Sequence, residues 1–186
     1  MIDIDAKVDK KSLSNVLNML NPKHRNAALV AALNVTVREV RKEAKLEVEK
    51  VFTVKKRTLG NSMKDLVLAK RGRYRAIFKV KSSPLPLMAF KAKQKKPTKK
   101  AVGTSAEVFR GKRTMYKHAF IQTMRNAKQV WIRRGNKRLP VIRLTTFSTA
   151  AMTKIAATKK IKSTSQNFQK HFHSKLSDRI RKNRKK

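Results

Sequence analysis

Four histidines, ten carboxylates and 49 lysines and arginines are the groups in this chain that can do chemistry, and their distribution limits which chemistry. Metal and acid–base centres draw on histidines and carboxylates brought close together. His171 and His173 are two residues apart, a spacing that sends them to different faces of a helix. His24 and His118 each stand alone among basic residues. Eight acids (Asp3, Asp5, Asp9, Glu39, Glu43, Glu47, Glu49 and Asp65) fall in the first 65 residues beside 14 bases, a net charge of +6. The other 121 residues hold 35 bases against Glu107 and Asp178, a net of +33. That part of the chain has too few carboxylates for a paired general acid and base or for a carboxylate-held pair of metal ions. The five glycines are too scattered to form a phosphate-cradling loop. No catalytic residue, metal ligand or cofactor is expected, and the sequence reads as non-enzymatic.

The chemistry that remains is electrostatic. So large an excess of one sign repels its own copies and suits a dense anion, with nucleic acid first through phosphate neutralisation and counterion release. An acidic protein partner is the other source of such a field. The candidate contact residues fall in four runs. Lys93, Lys95, Lys96, Lys99 and Lys100 lie in the lysine-rich stretch 91–100, expected as a loop between strands. Arg133, Arg134, Lys137 and Arg138 surround the Gly135-Asn136 turn. Lys159, Lys160 and Lys162 follow, and Arg179, Arg181, Lys182, Arg184, Lys185 and Lys186 close the chain. No zinc-finger spacing, zipper or RNA-binding aromatic signature accompanies them, so contact with the backbone of DNA or RNA is expected without sequence specificity. Trp131 and Phe147 are of a type that stacks on bases, although strand aromatics more often serve core or interface.

These residues need elements to position them. Ser12 caps a short helix with Leu13, Val16, Leu17 and Leu20 on one face. Asn21-Pro22 opens a second, where Val30, Leu33, Val37, Val40, Ala44, Val48 and Val51 recur every three or four residues over about seven turns. Val37, Val40 and Trp131 are the candidates for subunit contact, with intramolecular core the competing role for the stripe. Tyr74, Ala76, Phe78 and Val80 alternate with bases as a half-buried strand, and Leu66–Ala69 is its hairpin partner across Arg71-Gly72. Further strands are expected at 101–109, 119–121, 129–133 and 138–144. Residues 148–157 read as a weak helix or linker, and Phe168, Phe172, Leu176 and Ile180 mark a final helix with a basic tail. The expected fold is α+β: a long amino-terminal helix packed on a mostly antiparallel sheet, then a carboxy-terminal helix. One domain is expected in three stretches: helical 1–62, β-rich 63–148, and 149–186 with linker, helix and tail.

The absence of cysteine excludes a disulfide framework and thiolate zinc sites. No apolar run approaches the roughly 20 residues of a membrane span, and Met1-Ile2-Asp3-Ile4-Asp5 lacks the apolar stretch of a secretory signal. The chain is therefore expected to be made inside a cell, without a membrane partner.

The order of short motifs carries more. Pro86-Leu87-Met88-Ala89-Phe90-Lys91, a basic stretch, Val108-Phe109 and Gly111-Lys112 precede His118-Ala119-Phe120-Ile121. Val130-Trp131-Ile132-Arg133-Arg134-Gly135 and Arg138-Leu139-Pro140-Val141-Ile142 come next. This order resembles the minor tail protein Z family of tailed phages and prophages, the tail-completion proteins. The helices at 22–51 and 163–182 also sit where that family has them. The chain departs from the family's pattern at Leu144-Thr145-Thr146-Phe147-Ser148, where relatives carry a Gly-Pro turn. The resemblance implies a structural virion protein at the head-proximal end of the tail, assembled in the host cytoplasm. It also implies tail and neck proteins (terminator, tube, connector) as partners, and a homo-oligomer, by analogy a hexameric ring. A ribosomal or other structural nucleic-acid-binding protein is the alternative that size and charge allow.

Overall fold

A computed structural model describes residues 22–94, 103–124, 126–135, 137, 139–162 and 164–183. The expected helix at 13–20 lies outside them. The chain is α+β: among the described residues, helices α1 (Pro22–Val51), α2 (Lys56–Ser62), α3 (Thr149–Lys162) and α4 (Thr164–Asn183) flank ten short strands. These are β1 (Leu66–Val67), β2 (Ile77–Phe78), β3 (Pro84–Pro86), β4 (Lys93–Gln94), β5 (Gly103–Phe109), β6 (Lys112–Lys117), β7 (Ala119–Met124), β8 (Ala127–Arg133), β9 (Val141–Arg143) and β10 (Thr145–Ser148). Every strand pairing is antiparallel. The strands do not form one sheet. They make two ribbons, β1-β2 and β10-β3, and two three-stranded sheets, β4-β5-β6 and β7-β8-β9.

Contacts divide the described residues into two compact units, each assembled from separated stretches of chain. The first takes 22–44, 64–80 and the described residues from 157 onward. The second takes 45–63 and the described residues of 81–156.

In the first unit the stripe on α1 is buried as its spacing requires: Ala28, Ala32 and Leu33 join Ala69, Phe168, Phe172 and Leu176 in one cluster. The long helix thus packs on the carboxy-terminal helix and the β1-β2 ribbon. Phe168 and Phe172 stack with ring centroids 6.0 Å apart, as side chains four residues apart on one helix face can. Arg71-Gly72 makes the ribbon's turn, with Gly72 at φ +80° and Lys70 bridged to Arg73. Asn34 fixes the ribbon to α1 from both ends of its amide: it donates to the Ala69 carbonyl (3.1 Å) and accepts from the Ala69 N–H (2.8 Å). Replacing Asn34 with Ala leaves both Ala69 groups half-buried without their partner. We expect this to destabilise the fold by about 1–3 kcal/mol. A urea midpoint equal to that of the parent chain would refute the pin.

In the second unit, β5 and β6 join through Arg110-Gly111, with Gly111 at φ +79°. Fully buried Phe52, following α1, packs on Phe109 (centroids 4.9 Å apart) and Phe147 (6.0 Å). The segment 144–148, where a turn was in question, continues as β10 and pairs with β3. Residues 149–162 are helix, not linker: Ser148 Oγ accepts from the Ala151 N–H at 3.1 Å and caps α3. The Thr153 hydroxyl returns to the Thr149 carbonyl inside that helix. No helix is long and apolar enough to cross a membrane among the described residues.

Candidate nucleic-acid interface

The β7-β8-β9 sheet brings cations and aromatic rings onto one face. Alternation along β8 puts Trp131 and Arg133 on the same side. The register sets Trp131 opposite Phe120 on β7 and opposite Arg143 on β9. The row Phe120, Trp131, Arg143 therefore crosses all three strands. The Arg133 guanidinium lies over the Phe120 ring, 5.3 Å from its centroid, a cation–π contact that holds the charge flat against the sheet. Trp131 is half-buried, and its indole N–H donates to the Gln122 carbonyl at 3.1 Å, so its ring orientation is fixed. Arg134 and Lys137, after β8, are exposed. The opposite face carries Ala119 and Val130, both fully buried.

The β4-β5-β6 sheet carries a second cationic face. Register aligns Lys93 with Ser105, Glu107 with Arg113, and Gly103 with Lys117. Arg113 reaches across to Ser105 Oγ (3.1 Å) and lies 3.8 Å from Glu107. Glu107 is the one acid of this face, and the protein itself uses it. Its Oε1 accepts from the Gly111 N–H (2.9 Å) and from the Thr53 hydroxyl (3.1 Å). Those two hydrogen bonds hold its carboxyl below the ordinary glutamate range, the Gly111 bond most strongly, with Lys91 and Arg113 adding attraction and partial desolvation opposing.

A depressed folded pKa contributes stability that is complete above the unfolded pKa and is lost as pH falls through the folded value. The stability gap between the parent chain and Glu107→Gln is accordingly expected to be widest above about pH 5 and to narrow on acidification. Urea midpoints taken across pH check this, and a gap indifferent to pH would discard the assignment.

Other acids are engaged in the same way. Glu47 pairs with Lys50 (2.8 Å), Asp178 with Lys175 (3.9 Å) and Glu39 with His171. By contrast, Lys93, Lys117, Lys128, Arg134, Lys137 and Arg143 are exposed without a carboxylate partner among the described residues. These cations are free to face an external anion.

The residues expected from sequence are only partly brought together. Lys93, Arg133, Arg134 and Lys137 belong to the second unit, whereas Arg179, Arg181 and Lys182 are exposed on α4 of the first. Lys93 sits in β4, not in a loop. Lys95, Lys96, Lys99, Lys100, Arg138, Arg184, Lys185 and Lys186 lie outside the described residues. Lys159, Lys160 and Lys162 fall on α3, and their side chains are likewise outside the description. Val37 and Val40 are 7% and 4% exposed, the burial that belongs to the stripe's competing role as intramolecular core. His171 is bound to Glu39. Sequence reasoning missed Arg113, Lys117 and Arg143. The alternation of Arg143 with Ile142 was visible, but its place opposite Trp131 depends on the β8-β9 register.

The arrangement defines a class: an α+β protein presenting cationic sheet faces on which the one acid, Glu107, is internally neutralised. The described residues include no group of three or more His, Asp or Glu placed to hold a metal ion. The chain matches no family model, no curated protein and no solved structure.

Proposed function

We propose that this chain is a structural tail-completion protein of a tailed phage. It joins the head-proximal end of the tail to the neck as a homo-oligomeric ring, and its cationic faces meet the backbone of the DNA passing through. The observation that carries the reading is the face of β7-β8-β9, where Arg133 and Arg143 lie beside Trp131 and Phe120 with no acid on the three strands. A sheet face built in this way takes phosphate with its guanidinium groups and tolerates any base against its rings. The motif order between 85 and 144 supplies the phage context, and the ring follows from the sixfold symmetry common to phage tails. The proposed role is assembly and conduit, with no bond made or broken by the chain.

Mutual repulsion between such positive subunits opposes closure unless an anion screens them. We therefore expect sedimentation of the purified chain to show monomers at low salt and a discrete closed oligomer when short duplex DNA is added. Monomers under both conditions would sink the ring.

A further inference from the structure

β6 is an edge strand whose outer side is unpaired among the described residues. The Glu107 N–H donates to the Phe90 carbonyl (3.1 Å), away from β6, and Ser105 pairs with Lys93 on β4. Hydrogen-bonding sides alternate along an antiparallel strand. Arg113, Met115 and Lys117, which lie opposite Glu107, Ser105 and Gly103, therefore turn their N–H and C=O groups outward. The strand runs six residues without a proline, so these groups form an unbroken row.

Alternation divides the side chains of β6 between two faces. Thr114 and Tyr116 border a cleft of about 460 Å³, which Val108 and Phe109 of β5 and Thr146 and Phe147 of β10 also line. All of these residues belong to the second unit. The Phe109 and Phe147 rings meet edge to face at 5.7 Å. They stay 38% and 39% exposed, although both also pack on Phe52. Arg113, Met115 and Lys117 occupy the other face. β6 carries Lys112, Arg113 and Lys117 and no acid. Glu107, the acid opposite Arg113, is already held by Gly111 and Thr53.

Bases on an edge strand can serve simply to repel other strands. That role leaves the two open rings unexplained, since a guard against pairing needs no apolar cleft beside it. The charges instead select the occupant. A second copy of β6 would set Arg113 and Lys117 against their own kind, which is unfavourable. An extended segment with apolar side chains at every second position and carboxylates between them suits both faces at once. Its apolar set enters the cleft beside Phe109 and Phe147, and its acidic set lies beside Arg113 and Lys117. Backbone pairing along an open edge, with pockets for alternate side chains, is a general mode of peptide capture.

We infer that β6 is the docking edge for an extended acidic segment of a partner protein, which joins the β4-β5-β6 sheet as a fourth strand. Lys117 is its principal charge contact, being exposed and without a carboxylate partner among the described residues. The inference stands apart from the phage reading and survives if that reading fails.

Amide hydrogen exchange of the full chain tests it, with a capped synthetic peptide alternating Val and Asp over about eight residues as the probe. At saturating peptide the amides of Arg113, Met115 and Lys117 should exchange roughly tenfold more slowly, with those of Ala106 and Val130 unchanged. A peptide of the same composition with its Val and Asp in separate blocks should give no such protection. N-methylation of one alternate set of the peptide's nitrogens should abolish the effect, and methylation of the other set should leave it. Lys117→Glu should weaken the alternating peptide by about fivefold. Equal protection by the alternating and block peptides, or equal effects of the two methylations, would reduce the contact to charge alone and overturn the added strand. Protection of the three amides in the chain without peptide also overturns it, because the edge is then filled by the chain itself or by a second copy.

Discussion

The affinity of this chain for random-sequence duplex DNA is expected to fall by roughly 10³-fold or more between 50 and 200 mM salt, as it does for proteins making six or more phosphate contacts. The expectation rests on the cations left without carboxylate partners: Lys93, Lys117, Lys128, Arg134, Lys137 and Arg143. Each phosphate neutralised releases condensed counterion and steepens the plot of log affinity against log salt by about 0.9. Replacing Lys93, Arg134, Lys137 and Arg143 together with Gln should therefore flatten the slope by about 3.6 if all four reach phosphate. Their exposure leaves the fold intact. Changing the DNA sequence should alter little, because neither sheet face offers an element shaped for the major groove. Fluorescence anisotropy over a salt series decides the matter. An affinity insensitive to salt removes DNA as the anion and leaves acidic protein as the partner.

Phe52→Ala is expected to cost about 3–5 kcal/mol, the range for a large aromatic side chain emptied from a core. Phe52 is 1% exposed and touches two other rings, Phe109 and Phe147. The backbone around it carries pairings of the second unit: the Phe52–Phe109 bridge, the Thr53 N–H to the Val108 carbonyl, and the Arg110 N–H to the Val51 carbonyl. Domain stabilities are typically about 5–15 kcal/mol, and a chain of formal charge +39 also carries its own repulsion. The loss is therefore a large share of the total. Phe109→Ala and Phe147→Ala, at rings more than a third exposed, should each cost clearly less, since less apolar area returns to water. Denaturant midpoints separate the three variants. A cost below about 1 kcal/mol for Phe52→Ala would contradict a fully packed centre.

The elements legible from the sequence were those that announce themselves locally. The α1 stripe runs unbroken at helical spacing from Val30 to Val51, and Leu33, Val37, Val40, Ala44 and Val48 are buried as that spacing requires. Arg71-Gly72 marked a turn between strands, and Gly72 holds positive φ. The elements that escaped depend on partners far away in the chain. β3 is Pro-Leu-Pro, a poor strand by composition that an edge position tolerates. β10 is defined by its pairing with β3. α3, read from the sequence as a weak helix or a linker, is rich in Thr and Ala with no clear stripe, and as a helix it is capped by Ser148 and buries Thr149, Met152, Thr153 and Ala157.

The candidate site shows the same division. Its charge was obvious from composition, but the pairing of Trp131 with Arg143, and the neutralisation of Glu107 by Thr53 and Gly111, are properties of register and folding.

The cluster joining Ala28, Ala32 and Leu33 to Phe168, Phe172 and Leu176 has a consequence for the chain as it is being made. The apolar face of α1 leaves the ribosome well before α4, the helix that covers it. At about 5–20 residues per second, the intervening stretch takes roughly 7–30 s to translate. Throughout that interval the first unit lacks Phe168, Phe172 and Leu176 of its core, while the second can already close. Nascent chains of this protein are thus exposed to aggregation and to chaperone capture through α1 until α4 emerges, and a stop codon anywhere before Phe168 leaves that exposure permanent.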